Sequence, residues 1–158
     1  MLVLNRRNFV ISTAALMTVR PAWAADHSVA MLNKHPEIKK RRMVFDPWLI
    51  TVQAGDTVTF VPTDKGHNSE SIKGMIPDGA EKWKGKINKE IAITFDKPGF
   101  YGYRCTPHVS VGMVGMVIVE GDGKTDNLEA AQAVKHRGKA KKIFQEIWAE
   151  AETQGLLA

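Results

Sequence analysis

The rhythm of the middle of this chain limits its fold more than any other feature. Short apolar runs at residues 28–32, 43–45, 48–52, 57–61, 89–95, 100–105 and 114–119 are separated by turn-forming residues. Thr57-Val-Thr-Phe-Val61 alternates polar and apolar with β-branched side chains, the pattern of a half-buried strand. Gln53-Ala-Gly55-Asp56, Asp64-Lys65-Gly66 and Lys97-Pro98-Gly99 are turn signals between such runs. About eight short strands at this spacing predict an all-β sandwich or barrel.

The C-terminal end changes character. Asp126-Asn127-Leu128-Glu129 reads as the acidic, cap-rich start of a helix running to about residue 136. Gly138 interrupts it, and a second helix is expected over 139–153, within a helical extension spanning 126–155. Ile143, Phe144, Ile147 and Trp148 recur there at three- and four-residue spacing. An amphipathic helix gains its stability mostly from burial, so this stripe is expected to pack on the sandwich. Residues 34–42 form a charge run expected to be a solvated loop, and 71–88 a long Gly- and Pro-punctuated connection.

Residues 1–24 have a basic start, an apolar stretch and a small-x-small end at Ala22-Trp23-Ala24, which predicts a cleaved export signal. Arg6-Arg7 followed by Phe9 resembles a twin-arginine signal, and Sec export fits the same segment. Cleavage after Ala24 would leave 25–158 as the mature domain. It removes three arginines and no acids, leaving 19 Lys and Arg against 17 Asp and Glu, a charge of +2. That balance is too mild for a nucleic-acid binder. The chain has one cysteine, Cys105, and so cannot form an internal disulfide. Cys105 is therefore an inert buried thiol, a reactive thiol, an intermolecular bridge or a metal ligand.

The segment Cys105-Thr106-Pro107-His108-Val109-Ser110-Val111-Gly112-Met113 points to the last of these. It places a thiolate, an imidazole and a thioether at the end of a predicted strand. His67 supplies a second imidazole at the start of another strand. Two imidazoles, one thiolate and a weak thioether suit copper, because sulfur stabilises Cu(I) while imidazole accepts Cu(II). Zinc favours a closed tetrahedral set without thioether. Chemistry alone leaves Met75 and Met116 open beside Met113.

The residues around these donors resemble a known family. Met31-Leu-Asn-Lys34, Gly55-Asp-Thr-Val-Thr-Phe60, Asp64-Lys-Gly-His67-Asn68, Lys73-Gly-Met-Ile-Pro-Asp-Gly-Ala80, Cys105-Thr-Pro-His108 and Gly112-Met113-Val-Gly115 are similar to pseudoazurin sequences. The resemblance covers nearly the whole mature chain. It implies a cupredoxin-like Greek-key β-sandwich of about eight strands with two C-terminal α-helices. It implies one type I copper ion cycling between Cu(II) and Cu(I), with His67, Cys105, His108 and Met113 as ligands. Asn68 matches a residue that braces the cysteine sulfur, and Pro107 stiffens the loop between two ligands. His108 matches the electron exit, in an apolar patch with Pro107, Val111 and Met43. Lys34, Lys65, Lys84, Lys86 and Arg104 match a cationic ring that would steer acidic partners. Two departures stand out: Val109-Ser110-Val111 replaces a more aromatic, Met-rich stretch, and the 34–42 loop is longer and more basic.

By that resemblance the chain is a periplasmic, monomeric electron shuttle and not an enzyme, with no membrane anchor. Its partners would be redox proteins such as copper nitrite reductase and c-type cytochromes. A copper storage or delivery protein is the alternative, and a thiol enzyme built on Cys105 and His108 a third reading. His35 and His136 sit in polar contexts and read as surface residues. His27 would be the third residue after cleavage, where a free amine, two amides and an imidazole can wrap Cu(II) in a square plane. A second Cu(II) site there is a further expectation.

Overall fold

The computed structural model describes residues 24–158, so the expected leader lies outside the described residues apart from Ala24. Eight strands form two four-stranded sheets. The first has the order β2 (Arg42–Asp46), β1 (Asp26–Lys34), β4 (Thr57–Val61), β6 (Ile91–Thr94). The second has the order β3 (Leu49–Gln53), β8 (Val114–Glu120), β7 (Gly99–Arg104), β5 (Glu70–Ser71). Each sheet contains one parallel pair: β1 with β4, from Asp26↔Thr57 to Ala30↔Val61, and β3 with β8, from Leu49↔Met116 to Gln53↔Glu120. Two α-helices follow, α1 (Leu128–Ala133) and α2 (Gly138–Thr153). The all-β sandwich and its two C-terminal helices are as expected.

The two sheets do not bury the same number of faces. Strand β4 alternates in burial, as its sequence does. Strand β8 is buried at every position from Val114 to Val119. Val117 and Val119 face the core between the sheets, with Phe45, Phe60 and Tyr103. Met116 and Ile118 face a second core, with Phe144 and Ile147 of α2. A sheet covered on both sides reads as a continuous apolar run, which is why β8 shows no alternation. Phe144 and Ile147 are almost fully buried, and each such side chain contributes about 1.5–3 kcal/mol. The expected stripe on α2 is thus core.

The first helix departs from expectation. Residues Lys124–Asn127 form a 3₁₀ turn, and α1 occupies only Leu128–Ala133. Asn127 does not cap it. Its amide instead accepts the Phe100 N–H (3.0 Å) and donates to the Phe100 carbonyl (2.8 Å), mimicking a strand neighbour for β7. Val134 turns extended and ends the helix. Strand β1 also runs further than expected, placing Lys34 on a strand paired with Arg42 and not in a loop.

Candidate metal centre

Three segments carry the donors to one end of the sandwich. His67 follows the turn after β4, where Gly66 takes a left-handed backbone conformation (φ +98°). Cys105 immediately follows β7. A 3₁₀ turn, Thr106–Val111, then carries His108, with Pro107 in its first turn. The turn closes on Gly112, also left-handed (φ +95°). Cys105 N–H donates to the Met113 carbonyl (3.0 Å) and Met113 N–H to the His108 carbonyl (3.1 Å). The loop is therefore sealed by its own backbone, with Cys105 and Met113 both fully buried.

The donor atoms converge. His67 Nδ1 lies 3.1 Å from His108 Nδ1, and Cys105 Sγ lies 3.8 Å from the first and 3.5 Å from the second. Ligands about 2.0–2.3 Å from a central ion in a trigonal plane would be about 3.5 Å apart for two nitrogens and about 3.8 Å for nitrogen and sulfur. The observed triangle is close to that size, with the two edges at His108 shorter by about 0.3–0.4 Å. No other group of His, Cys, Asp and Glu among the described residues meets in this way. Met113 shares the inter-sheet core with Cys105, whereas Met75 and Met116 belong to the second core beneath α2. That placement separates Met113 from the other two thioethers.

The surroundings prepare these atoms for a cation. The Asn33 side-chain carbonyl lies 3.0 Å from His67 Nε2 and accepts its N–H, leaving the Nδ1 lone pair free to face inward. Burial, and then the charge of His108, hold the His67 imidazole below its usual proton affinity, with Asp64 opposing. Burial pushes the Cys105 thiol up, while the backbone N–H groups of Asn68 and His108 aim at its sulfur and favour thiolate. His67 Nδ1, His108 Nδ1 and Cys105 Sγ lie close enough together to direct their lone pairs at one shared cation. The donor set therefore fits copper.

Asn68 ties the two ligand-bearing segments together. Its Oδ1 accepts the Thr106 N–H (2.8 Å), and its Nδ2 donates to Thr106 Oγ1 (3.0 Å) and the Gly85 carbonyl (3.0 Å). The stretch expected as a long Gly- and Pro-punctuated connection, 71–88, is folded back on this region. Gly85 N–H donates to the Ser69 carbonyl (2.7 Å) and Asn88 N–H to the His67 carbonyl (2.9 Å). Asn33 and Glu70 had no assigned role in the sequence. Asn33 lies inside a run already similar to pseudoazurins, which was the only signal available; Glu70 offered none.

The five cations are not equivalent. Glu70 pairs across the sheet with Arg104 and bridges to Lys84. Its carboxylate lies 3.2 Å from Arg104 Nε, 3.6 Å from Lys84 Nζ and 2.8 Å from Thr106 Oγ1. Burial would raise the Glu70 carboxyl, but the Thr106 hydroxyl, Arg104 and Lys84 outweigh it and hold it below the usual range. Lys34, Lys65 and Lys86 are exposed and in no ion pair among the described residues.

The remaining histidines are placed differently from expectation. His35 Nδ1 accepts the N–H groups of Glu37 and Ile38 (3.1 and 3.0 Å), so the ring organises its own turn. His136 is half-buried, stacked on Phe144 with ring centroids 4.0 Å apart, and its Nε2 is buried without a partner. The linker between α1 and α2 lays it across an apolar helix face, which its polar neighbours in sequence conceal. Residues 26–27 belong to extended β1, paired with Thr57 and Val58. Ala25 N–H donates to Asp56 Oδ1 (2.7 Å), and His27 Nε2 lies 3.1 Å from Asp56 Oδ2. An extended strand spreads its nitrogens apart, so a wrapped square-planar Cu(II) site at His27 would require β1 to leave β4.

A parallel-paired double sheet with a His, Cys, His and Met cluster at one end defines a type I copper protein. The family model for copper-binding proteins of the plastocyanin/azurin family matches residues 32–120. A pseudoazurin from Methylorubrum extorquens is 46% identical over 138 residues, 87% of this chain and 90% of its own length. One from Paracoccus pantotrophus is 45% identical, covering 82% of this chain and 86% of that protein. The solved structure of a Sinorhizobium pseudoazurin superposes with a TM-score of 0.76 at 50% identity, over 82% of this chain and 98% of the other. The chain belongs to the pseudoazurins. It is a blue copper electron-transfer protein that binds one type I copper ion, and it is not an enzyme.

Proposed function

We propose that the chain is an exported, periplasmic carrier that passes single electrons between larger redox proteins, accepting from c-type cytochromes and donating to a copper nitrite reductase. The observation that supports this most directly is the double position of His108. Its Nδ1 belongs to the donor triangle, while the residue is only half-buried and neighbours Pro107 and Val111, both exposed. One imidazole thus connects the buried centre to the surface.

When bound at His67, Cys105, His108 and Met113, copper supplies a one-electron couple; the protein supplies everything else. The sealed loop, the Asn68 clamp and the Asn33 contact hold the donors in place. A site that changes little between oxidation states exchanges electrons quickly. Asn68 and Pro107 act in this reading by stiffening the loop on both sides of Cys105. Lys34, Lys65 and Lys86 supply the unpaired positive charge for attracting an acidic partner, with Lys84 and Arg104 contributing less because Glu70 lies between them. Among the described residues, no helix is long and apolar enough to cross a membrane. Residues 1–24 would direct export and then be removed, leaving a monomer.

Stopped-flow mixing of the reduced protein with copper nitrite reductase and with c-type cytochromes from the same organism tests this. Rapid, saturable oxidation by the reductase is expected. Exchange no faster than with an unrelated acidic protein would overturn the partner assignment.

A further inference from the structure

A cleft of about 630 Å³ opens beside His108, between residues 35–49, the ligand loop and α2. Met43, Val111 and Ile143 supply apolar walls, and Lys40, Arg42 and Lys139 contribute positive charge. Two acids, Asp46 and Glu150, also line the cleft. Glu150 accepts the Trp48 indole N–H at 2.8 Å, and Asp46 stands 3.8 Å from His35. Arg41 is stacked on the Trp48 ring, 3.5 Å from its centroid, and pairs with Glu146. Lys40, Arg42 and Lys139 are in no ion pair among the described residues, and with Arg41 they outnumber the lining acids Asp46 and Glu150 four to two, so the cleft carries a positive surplus.

We infer that this cleft is a binding site for a small amphipathic organic anion, one with an aromatic or aliphatic body and a carboxylate or sulfonate head. The volume falls in the range of about 300–1,000 Å³ typical of small-molecule sites, which are mostly apolar with a few placed polar groups. The body lies on Met43, Val111 and Ile143; the head meets Lys40, Arg42 and Lys139. Met43 has a left-handed backbone (φ +53°), costly for a long side chain and a conformation that gathers at ligand clamps. His108 also lines the cleft, so an occupant covers the imidazole edge assigned above to electron exchange. Only this last consequence rests on the proposed function.

The test is titration of the copper-loaded mature protein with 8-anilinonaphthalene-1-sulfonate, followed by fluorescence and calorimetry. One saturable site per chain is expected, weakened at least tenfold in the Arg42→Glu/Lys139→Glu double variant and several-fold in Ile143→Ser. Lys82→Glu, which lines a separate cleft, leaves it unchanged. Retention of the visible copper band certifies that each variant is folded. Absence of saturable binding, or weakening by Lys82→Glu equal to that of the double variant, overturns the proposal. So does binding of an acidic partner peptide in the cleft when the probe does not bind. The fluorescence readout involves no electron transfer. If the probe binds as expected but covering His108 leaves electron self-exchange unchanged, the exit role of His108 falls and the binding site stands.

Discussion

Asn68 holds Thr106 by both ends of its side-chain amide, accepting the Thr106 N–H at 2.8 Å and donating to the Thr106 hydroxyl at 3.0 Å. This joins the segment that carries His67 to the loop that carries Cys105 and His108. Asn68 is almost fully buried, so neither bond is easily replaced by water. Asn68→Ala is expected to cost about 2 kcal/mol of stability, from lost bonds and an unsatisfied Gly85 carbonyl. Denaturant unfolding of the copper-loaded variant measures this. A shift in the visible absorption should accompany it, because loss of the side-chain clamp lets the segment move whose Asn68 backbone N–H aims at the Cys105 sulfur. A variant as stable as the parent would show that the clamp is redundant.

If the cations steer a partner as proposed, Glu70 sets how much of their charge that partner feels. Glu70→Gln frees Arg104 and Lys84 from their shared carboxylate, so association with an acidic partner should quicken at low salt. The difference should fade toward about 0.15 M ionic strength, where the Debye length is about 8 Å. For the same reason Lys65→Glu should slow association more than Arg104→Glu. Stopped-flow rates across ionic strength decide both; equal effects of the two reversals would contradict the unequal ring.

Acid should loosen the first sheet through Asp56. Backbone N–H groups of Ala25 and Gln53 hold its carboxyl below the ordinary 3.8; burial works against them, and His27 assists. A carboxyl with depressed proton affinity stabilises the fold above its unfolded pKa, and this contribution is lost as pH falls through the lower folded value. Stability should therefore decline below about pH 4 more steeply in the parent than in Asp56→Asn. Urea unfolding of both proteins between pH 3 and 6 is the measurement. Parallel profiles would remove Asp56 from the account.

The ligand set was largely legible because Cys105, His108 and Met113 lie close together in sequence, and His67 sits in a recognisable run. The resemblance singled out Met113, but donor chemistry alone could not, because what separates it from Met75 and Met116 is the core each side chain enters. Asn33 and Glu70 escaped notice because they reach the site from other strands, and only sheet register brings them there. The same register explains why Lys84 and Arg104 looked free in the sequence. His136 misled for another reason: its neighbours are polar, but the aromatic ring it covers, Phe144, is on the following helix.

His108→Ala, reconstituted with copper, should slow electron self-exchange at least tenfold while leaving the sandwich intact. Its Nδ1 belongs to the donor triangle, and the residue is only half-buried. Nuclear magnetic resonance line broadening in mixtures of oxidised and reduced protein gives the rate, and far-ultraviolet circular dichroism reports the fold. Unchanged self-exchange would move the electron exit elsewhere.

Gly112 closes the ligand loop against α2. A Cβ there would lie 3.0 Å from Ile143 Cγ1 and 3.3 Å from Lys139 Cβ, and the left-handed φ adds its own penalty. Gly112→Ala is expected to cost more than about 1 kcal/mol. Thermal melts of the copper-loaded protein would show it, and a melting point equal to the parent's would mean that α2 yields freely.

That contact gives the C-terminal helix a part in the redox chemistry although it contributes no ligand. A metal that gains an electron tends to lengthen its bonds and pull its donors outward. Here the loop bearing His108 has α2 directly behind it, and α2 is anchored by Phe144 and Ile147 in a core of its own. With copper bound, the helix would act as a buttress, limiting how far the loop could move and so holding down the reorganisation energy.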